Sequence, residues 1–140
     1  MARPPRVLFV CTHNSARSQM AEALLRHITG GRALVTSAGS EPTALHADAI
    51  RTMDLLGLDI RAQQPKPLSA VANQPFDYVI TVCDRAREVC PIFPGGRQLH
   101  WGFPDPAAVQ DAEARVQAFS EIARGLKTRI TDFLTALPAN

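Results

Sequence analysis

A cysteine is followed six positions later by an arginine in Cys11-Thr12-His13-Asn14-Ser15-Ala16-Arg17-Ser18, directly behind the apolar run Val7-Leu8-Phe9-Val10. These residue types at this spacing point to sulfur nucleophile chemistry on an oxyanion. A chain that turns from strand into helix within so few residues aims several backbone N–H groups into one concavity, and the helix N-terminus adds partial positive charge. Arg17 brings a planar fork of donors that suits a tetrahedral oxyanion. Cys11 stands where that anion would bind, so the same donors are expected to stabilise its thiolate. Asn14 tolerates the left-handed backbone that a tight cradle requires. Ser18, at the helix start, can cap the helix and donate to the thiolate. His13 reads as a residue that shapes the cradle. The expected oxyanion-binding set is Thr12, His13, Asn14, Ser15, Ala16, Arg17 and Ser18. The competing reading is a buried cysteine before an ordinary helix cap; the strand before and the amphipathic helix after weigh against it.

Three further residues carry chemical potential. Asp105 lies in Phe103-Pro104-Asp105-Pro106-Ala107, whose prolines fix a loop. A loop-borne carboxylic acid can lean over an anion pocket and protonate a departing oxygen. Asp-Pro is equally a turn former, and residue types alone leave the two readings level. Cys83 ends an apolar strand and Cys90 follows seven residues later. Two buried small hydrophobes would be the ordinary reading, but Asp84, Arg85, Arg87 and Glu88 between them suggest exposure. Arg85 and Arg87 would lower nearby thiol pKa values, or serve only as solvated charge. If the segment is helical, seven residues separate the Cα atoms by about 10 Å along the axis. A disulfide wants them within about 7 Å. Oxidation of this pair therefore requires the helix to loosen, and Pro91, Pro94, Gly95 and Gly96 leave that end free to move.

The elements that must position these groups follow from periodicity. The pattern predicts strands at Arg6–Val10, Ala33–Ala38, Phe76–Val82 and Gln98–Trp101. Helices are expected over Ser18–Ile28, ended by Gly30-Gly31, and over Ala44–Leu56, stopped at Gly57. A loop covers Arg61–Pro67, with a short helical piece near Leu68–Ala72, and Asp84–Cys90 can be helical. A long helix spans Ala112–Leu137, with Val116, Phe119, Ile122, Ala123, Leu126, Ile130, Phe133, Leu134 and Leu137 on one face. Strands alternating with helices predict an α/β domain with an open, mostly parallel sheet. Ligands of such sheets bind beyond the carboxyl ends of the strands, where Cys11 and Cys83 both fall.

Composition narrows the function classes. The 140 residues suit a single domain, 1–140. A hydrophobic fraction of 46% and a net charge of +2 argue neither for nucleic acid nor for a membrane. No run approaches the roughly 18 apolar residues of a bilayer span, and Val7–Val10 is too short for a signal-peptide core. A cytoplasmic protein is expected. Three cysteines are an odd number in such a compartment, which speaks against a static disulfide framework. No clustered zinc-ligand spacing occurs, so neither a metal nor an organic cofactor is expected. His27, His46 and His100 have no visible partners.

The stretch Val7–Met20, with Ser37-Ala38-Gly39 and Asp105-Pro106, resembles the low-molecular-weight tyrosine phosphatase family. Cys83 and Cys90 in Val79–Pro91, followed by His100-Trp101-Gly102-Phe103-Pro104-Asp105-Pro106-Ala107, match its thioredoxin-coupled arsenate reductase branch over nearly the whole chain. The resemblance implies a three-layer sandwich: a four-stranded, mostly parallel sheet with helices on both faces and the Cys-x5-Arg loop after strand one. It implies Cys11 as nucleophile, Arg17 as anion holder, Asp105 as general acid, and Cys83 and Cys90 as a redox pair reset by thioredoxin. The implied substrate is arsenate, with phosphate or sulfate as analogues, acted on by a monomer. The Cys83/Cys90 pair argues against mycothiol or glutaredoxin coupling. A phosphomonoesterase using Cys11, Arg17 and Asp105 is the alternative enzyme, and an oxyanion-binding module the alternative outside catalysis. Some relatives bind potassium beside the cradle through an asparagine, a glutamate, a serine and an aspartate. The first three correspond to Asn14, Glu22 and Ser37; the fourth position is Lys66, whose ammonium is expected to replace the cation next to Glu22.

Overall fold

The computed structural model describes residues 4–137. Its elements run β1 (Arg6–Cys11), α1 (Arg17–Ile28), β2 (Leu34–Gly39), α2 (Ala47–Leu55), a 3-10 turn at Leu68–Ala70, β3 (Tyr78–Thr81), α3 (Asp84–Val89), β4 (Arg97–His100), a 3-10 turn at Pro106–Ala108, and α4 (Ala112–Ala136). The sheet order is β2-β1-β3-β4, and every pairing is parallel. β1 is central, with Val10 opposite both Ala38 and Thr81. Val7, Leu8, Phe9 and Val10 are all fully buried, so both faces of β1 are covered, as a near-continuous apolar strand requires.

Aromatic contacts lock α4 to one face of the sheet. The Phe133 ring meets Tyr78 edge-on at 5.0 Å and Trp101 at 5.8 Å, while Trp101 lies tilted against Phe9 at 5.8 Å. Burying each such side chain stabilises the fold by roughly 1.5–3 kcal/mol. Phe119, Ile122, Ala123, Leu126 and Ile130 supply the buried stripe of α4. The helix stops at Ala136, with Leu137 as its cap residue.

The largest departure from the sequence reading is at α2, which starts at Ala47 rather than Ala44. The chain before it is engaged elsewhere. The N–H groups of Glu41, Thr43 and His46 donate to the carbonyls of Thr12, His13 and Ser15 at 2.8, 3.0 and 2.9 Å. His46 then caps the helix, its Nδ1 accepting from Asp48 N–H at 3.0 Å, and its ring lies 4.9 Å from Phe119. β3 is shorter than expected because Phe76 leaves the ladder to meet Phe93 edge-on at 5.5 Å. β4 starts and ends one residue early, and Trp101 N–H bonds on to Thr81 O at 2.8 Å.

Candidate active site

The carboxyl end of β1 delivers Cys11, 4% exposed, to the start of a loop that carries its residues to α1. The three outward-tied carbonyls of Thr12, His13 and Ser15 hold this loop from segment 41–46. Asn14 takes a left-handed backbone with φ of 50°, as its type suggested. Its side chain is fully buried and committed on every side. Nδ2 donates to Ser18 Oγ at 2.8 Å and Ser37 Oγ at 2.9 Å, while Oδ1 accepts from Gln19 Nε2 at 3.1 Å and Lys66 N–H at 3.0 Å. Ser37 Oγ in turn donates to Glu22 Oε1 at 2.7 Å. A Cβ at Gly39, the last residue of β2, would stand 2.5 Å from Thr12 O and 2.9 Å from Cys11 O. Only a bare backbone fits beside the loop there.

Two site expectations are corrected. Ser18 does not cap α1: the helix starts at Arg17, its cap residue Ala16 makes no side-chain cap bond, and the Ser18 hydroxyl is taken up by Asn14. Nor is the Cys11 thiolate favoured. The hydrogen bond with Cys83 and then burial push the Cys11 thiol well above its ordinary value, outweighing Arg17. The same bond moves Cys83 down to about 5, helped by Thr12, whose Oγ1 lies 3.3 Å from the Cys83 sulfur, and by Ala86 N–H. The two thiols thus shift each other in opposite directions, Cys11 up and Cys83 down. Cys90 is half-buried at the far end of α3, and burial raises its pKa.

Arg17 Nη1 donates to Phe103 O at 2.7 Å, and Nη2 stands 3.9 Å from Asp105 Oδ1. That same oxygen accepts from Ala107 N–H at 3.0 Å, capping the 3-10 turn. Asp105 thus caps a turn while its carboxylate stands near the Arg17 guanidinium. Arg85 pairs with Glu41 at 3.3 Å and is exposed, so the solvated reading holds for it. His13 is exposed at the mouth. His100 does have partners, Thr81 Oγ1 at 2.7 Å and Asp84 Oδ1 at 2.8 Å.

Sequence reasoning missed Gln19, which is fully buried and donates to both Asn14 oxygens while accepting from Gln63. A signal existed: Gln19, Glu22 and Arg26 recur at three-and-four spacing along α1, a polar stripe beside the apolar one. The residues around Lys66 do not fit a potassium ion. Lys66 Nζ donates to Ser37 O at 2.8 Å and Gln64 O at 3.1 Å, filling the space with its own charge. Glu22 spends its second oxygen on Arg26 at 2.8 Å rather than on Lys66, although its charge is felt by the ammonium, whose pKa burial lowers.

A parallel sheet with a cysteine cradle at the end of its central strand, an arginine entering the first helix and an aspartate loop opposite defines a phosphatase-type oxyanion fold. Residues 6–140 match the low-molecular-weight phosphotyrosine protein phosphatase family along nearly their whole extent, and the chain belongs to it. Among curated relatives, the arsenate reductase of Bacillus subtilis is 36% identical over 129 residues, covering 91% of this chain and 93% of that protein. A thioredoxin-dependent arsenate reductase structure from Corynebacterium glutamicum is 36% identical with a TM-score of 0.75, covering 97% of this chain and 63% of that one. A structure of an arsenate reductase in the phosphate-binding state is 28% identical with a TM-score of 0.83, covering 96% and 99%.

Proposed function

We propose that this chain, acting as one domain over 1–140, reduces arsenate to arsenite through three thiols and is reset by thioredoxin. The observation that carries the reading is the place of Cys83, just past β3 beside β1, with its sulfur 3.3 Å from Oγ1 of Thr12, the residue that follows Cys11. A hydrolase needs one nucleophile; a second thiol beside it supplies the two electrons of a reduction.

The outward-tied carbonyls of the loop leave the N–H groups of residues 13–17 for the anion, and Arg17 adds its fork. Thr12, His13, Asn14, Ser15, Ala16 and Ser18 complete the cradle. Cys11 passes its proton to Cys83 along their hydrogen bond and attacks arsenic. Asp105 protonates the departing oxygen, which leaves as water, and a sulfur–arsenic bond remains. Cys83 loses that proton to solvent and attacks the Cys11 sulfur. The sulfur–arsenic bond breaks with its electron pair moving to arsenic, so arsenite leaves and a Cys11–Cys83 disulfide forms. Cys90 then attacks Cys83, frees Cys11 as thiolate and leaves Cys83–Cys90. A thioredoxin dithiol reduces that bond. No described helix is long and apolar enough to cross a membrane. The reading places the enzyme in the cytoplasm, where thiols are kept reduced, as a monomer.

The test is Cys83→Ser. Arsenate reduction is expected to stop after at most one turnover while phosphate-ester hydrolysis continues; full arsenate turnover by the variant would overturn the relay. Hydrolysis is the second reading, since the 3.9 Å approach of Asp105 to Arg17 would serve it equally.

A further inference from the structure

A glycine in the interior of a long helix lowers its stability relative to alanine. Gly125 sits at the middle of the 25-residue α4, so its presence calls for a reason. A Cβ there would stand 2.9 Å from Cε1 of Phe103, 3.7 Å from Cδ1 and 3.8 Å from Cζ. The bare backbone is therefore the seat of the Phe103 ring.

Phe103 leads directly to the site. Its N–H donates to Val82 O at 3.2 Å, one residue before Cys83, and its carbonyl accepts from Arg17 Nη1 at 2.7 Å. Two residues on is Asp105, whose carboxylate faces the same guanidinium. Pro104 restricts the backbone of Phe103 to extended values, so a crowded ring cannot be relieved by a large turn of the chain. Turning the ring is limited by its packing against the core, so part of the relief falls on a shift of the 102–105 loop away from α4, and that shift carries the Arg17 acceptor with it.

We propose that Gly125 is a positioning residue for the oxyanion site: the side chain it lacks seats Phe103, and Phe103 aims Arg17 and the Asp105 loop at the anion. The inference rests on the reading that Arg17 holds an oxyanion. It predicts a split that a merely structural glycine would not produce, in which the helix gains stability while the distant pocket loses its ligand.

The experiment is calorimetric titration of the full-length reduced protein with sulfate, alongside thermal melting and emission of Trp101, the single tryptophan, two residues before Phe103. Gly125→Ala is expected to melt at or above the unsubstituted temperature, to shift Trp101 emission, and to bind sulfate about tenfold more weakly, since small misplacements of a binding group are amplified. Adding Phe103→Leu to Gly125→Ala restores binding, because the smaller side chain no longer meets the new methyl. Phe103→Ala alone, which leaves α4 untouched, weakens binding to a similar degree and keeps the test decisive should Gly125→Ala melt without cooperativity. Thr131→Ala, an exposed change that also raises helix propensity in α4, leaves sulfate binding as it was. Sulfate binding by both Gly125→Ala and Phe103→Ala at unsubstituted strength would overturn this proposal alone, as would losses that simply add in the double variant. Failure of the unsubstituted protein to bind sulfate would instead sink the oxyanion reading, and this inference with it.

Discussion

The cradle loop and α3 both follow a parallel strand and both start from a cysteine, yet the fold holds them in opposite ways. Residues 12–16 are tied by three backbone hydrogen bonds to segment 41–46 and by the committed Asn14 side chain. α3 is six residues long and buries Ala86 alone. Its side-chain ties, Asp84 to His100 and Arg85 to Glu41, lie at its N-terminal end. Its other end runs through exposed Val89 to Ile92, 86% exposed. Under the proposed relay the difference fits two tasks. An oxyanion pocket gains from being arranged before the anion arrives. A thiol about 10 Å along a helix from its partner must move before a bond can form, and α3 is fastened where Cys83 sits and loose where Cys90 sits.

Breaking the rigid region has the largest expected effect. Gly39→Ala would press a methyl onto Thr12 O and Cys11 O, both backbone atoms. Sulfate binding measured by calorimetry should fall by about 100-fold or more; retained affinity would show that the loop is softer than its bonding implies. Asn14→Ala removes hydrogen bonds from buried partners and places alanine at φ of 50°. It is expected to cost about 2–4 kcal/mol in chemical denaturation. Asn14→Gly, free of the backbone strain, should cost about 1 kcal/mol less.

The sulfur pair joins the two regions and gives a pH signature. Cys83 is held down to about 5, first by its hydrogen bond with Cys11, so alkylation of one sulfur should rise as pH increases through about 5. Cys11, pushed above the ordinary thiol value, should react only in alkaline solution. Cys83→Ser removes the largest cause of that elevation, so Cys11 should then ionise at lower pH. Iodoacetamide labelling followed by mass spectrometry across pH reads both changes; a first inflection at the ordinary thiol value would break the opposed shifts of the pair. Loosely held α3 should hardly register in stability. Glu88→Ala, exposed and without a partner among the described residues, should change unfolding free energy by less than about 0.5 kcal/mol. Amide exchange there should be faster than in α1. The smallest effect concerns Lys66: exchanging potassium for sodium at constant ionic strength should leave turnover unchanged, and a specific potassium stimulation would refute replacement of the cation by the ammonium.

The cradle was legible because its information is local. A strand of apolar residues, a cysteine, small polar residues and an arginine opening an amphipathic helix lie within fifteen positions, and each step follows from backbone propensity or helix periodicity. The α/β class and the four strands were legible for the same reason. The start of α2 was not, because residues 44–46 have no local reason to stay extended; the loop carbonyls 30 residues upstream supply it. The downward pull on the Cys83 pKa was beyond the sequence as well. Register sets it: β1 beside β3 places Val10 opposite Thr81, which brings together two sulfurs 72 residues apart. The amino-acid sequence by itself determined which chemical groups this protein owns and which short segments present them. Tertiary structure decided which thiol is pulled toward its thiolate, how the buried amides of Asn14 and Gln19 are committed and which glycine seats Phe103. Hydrogen bonds and steric contacts act over a few ångströms of space, and only the folded chain brings these residues within that reach.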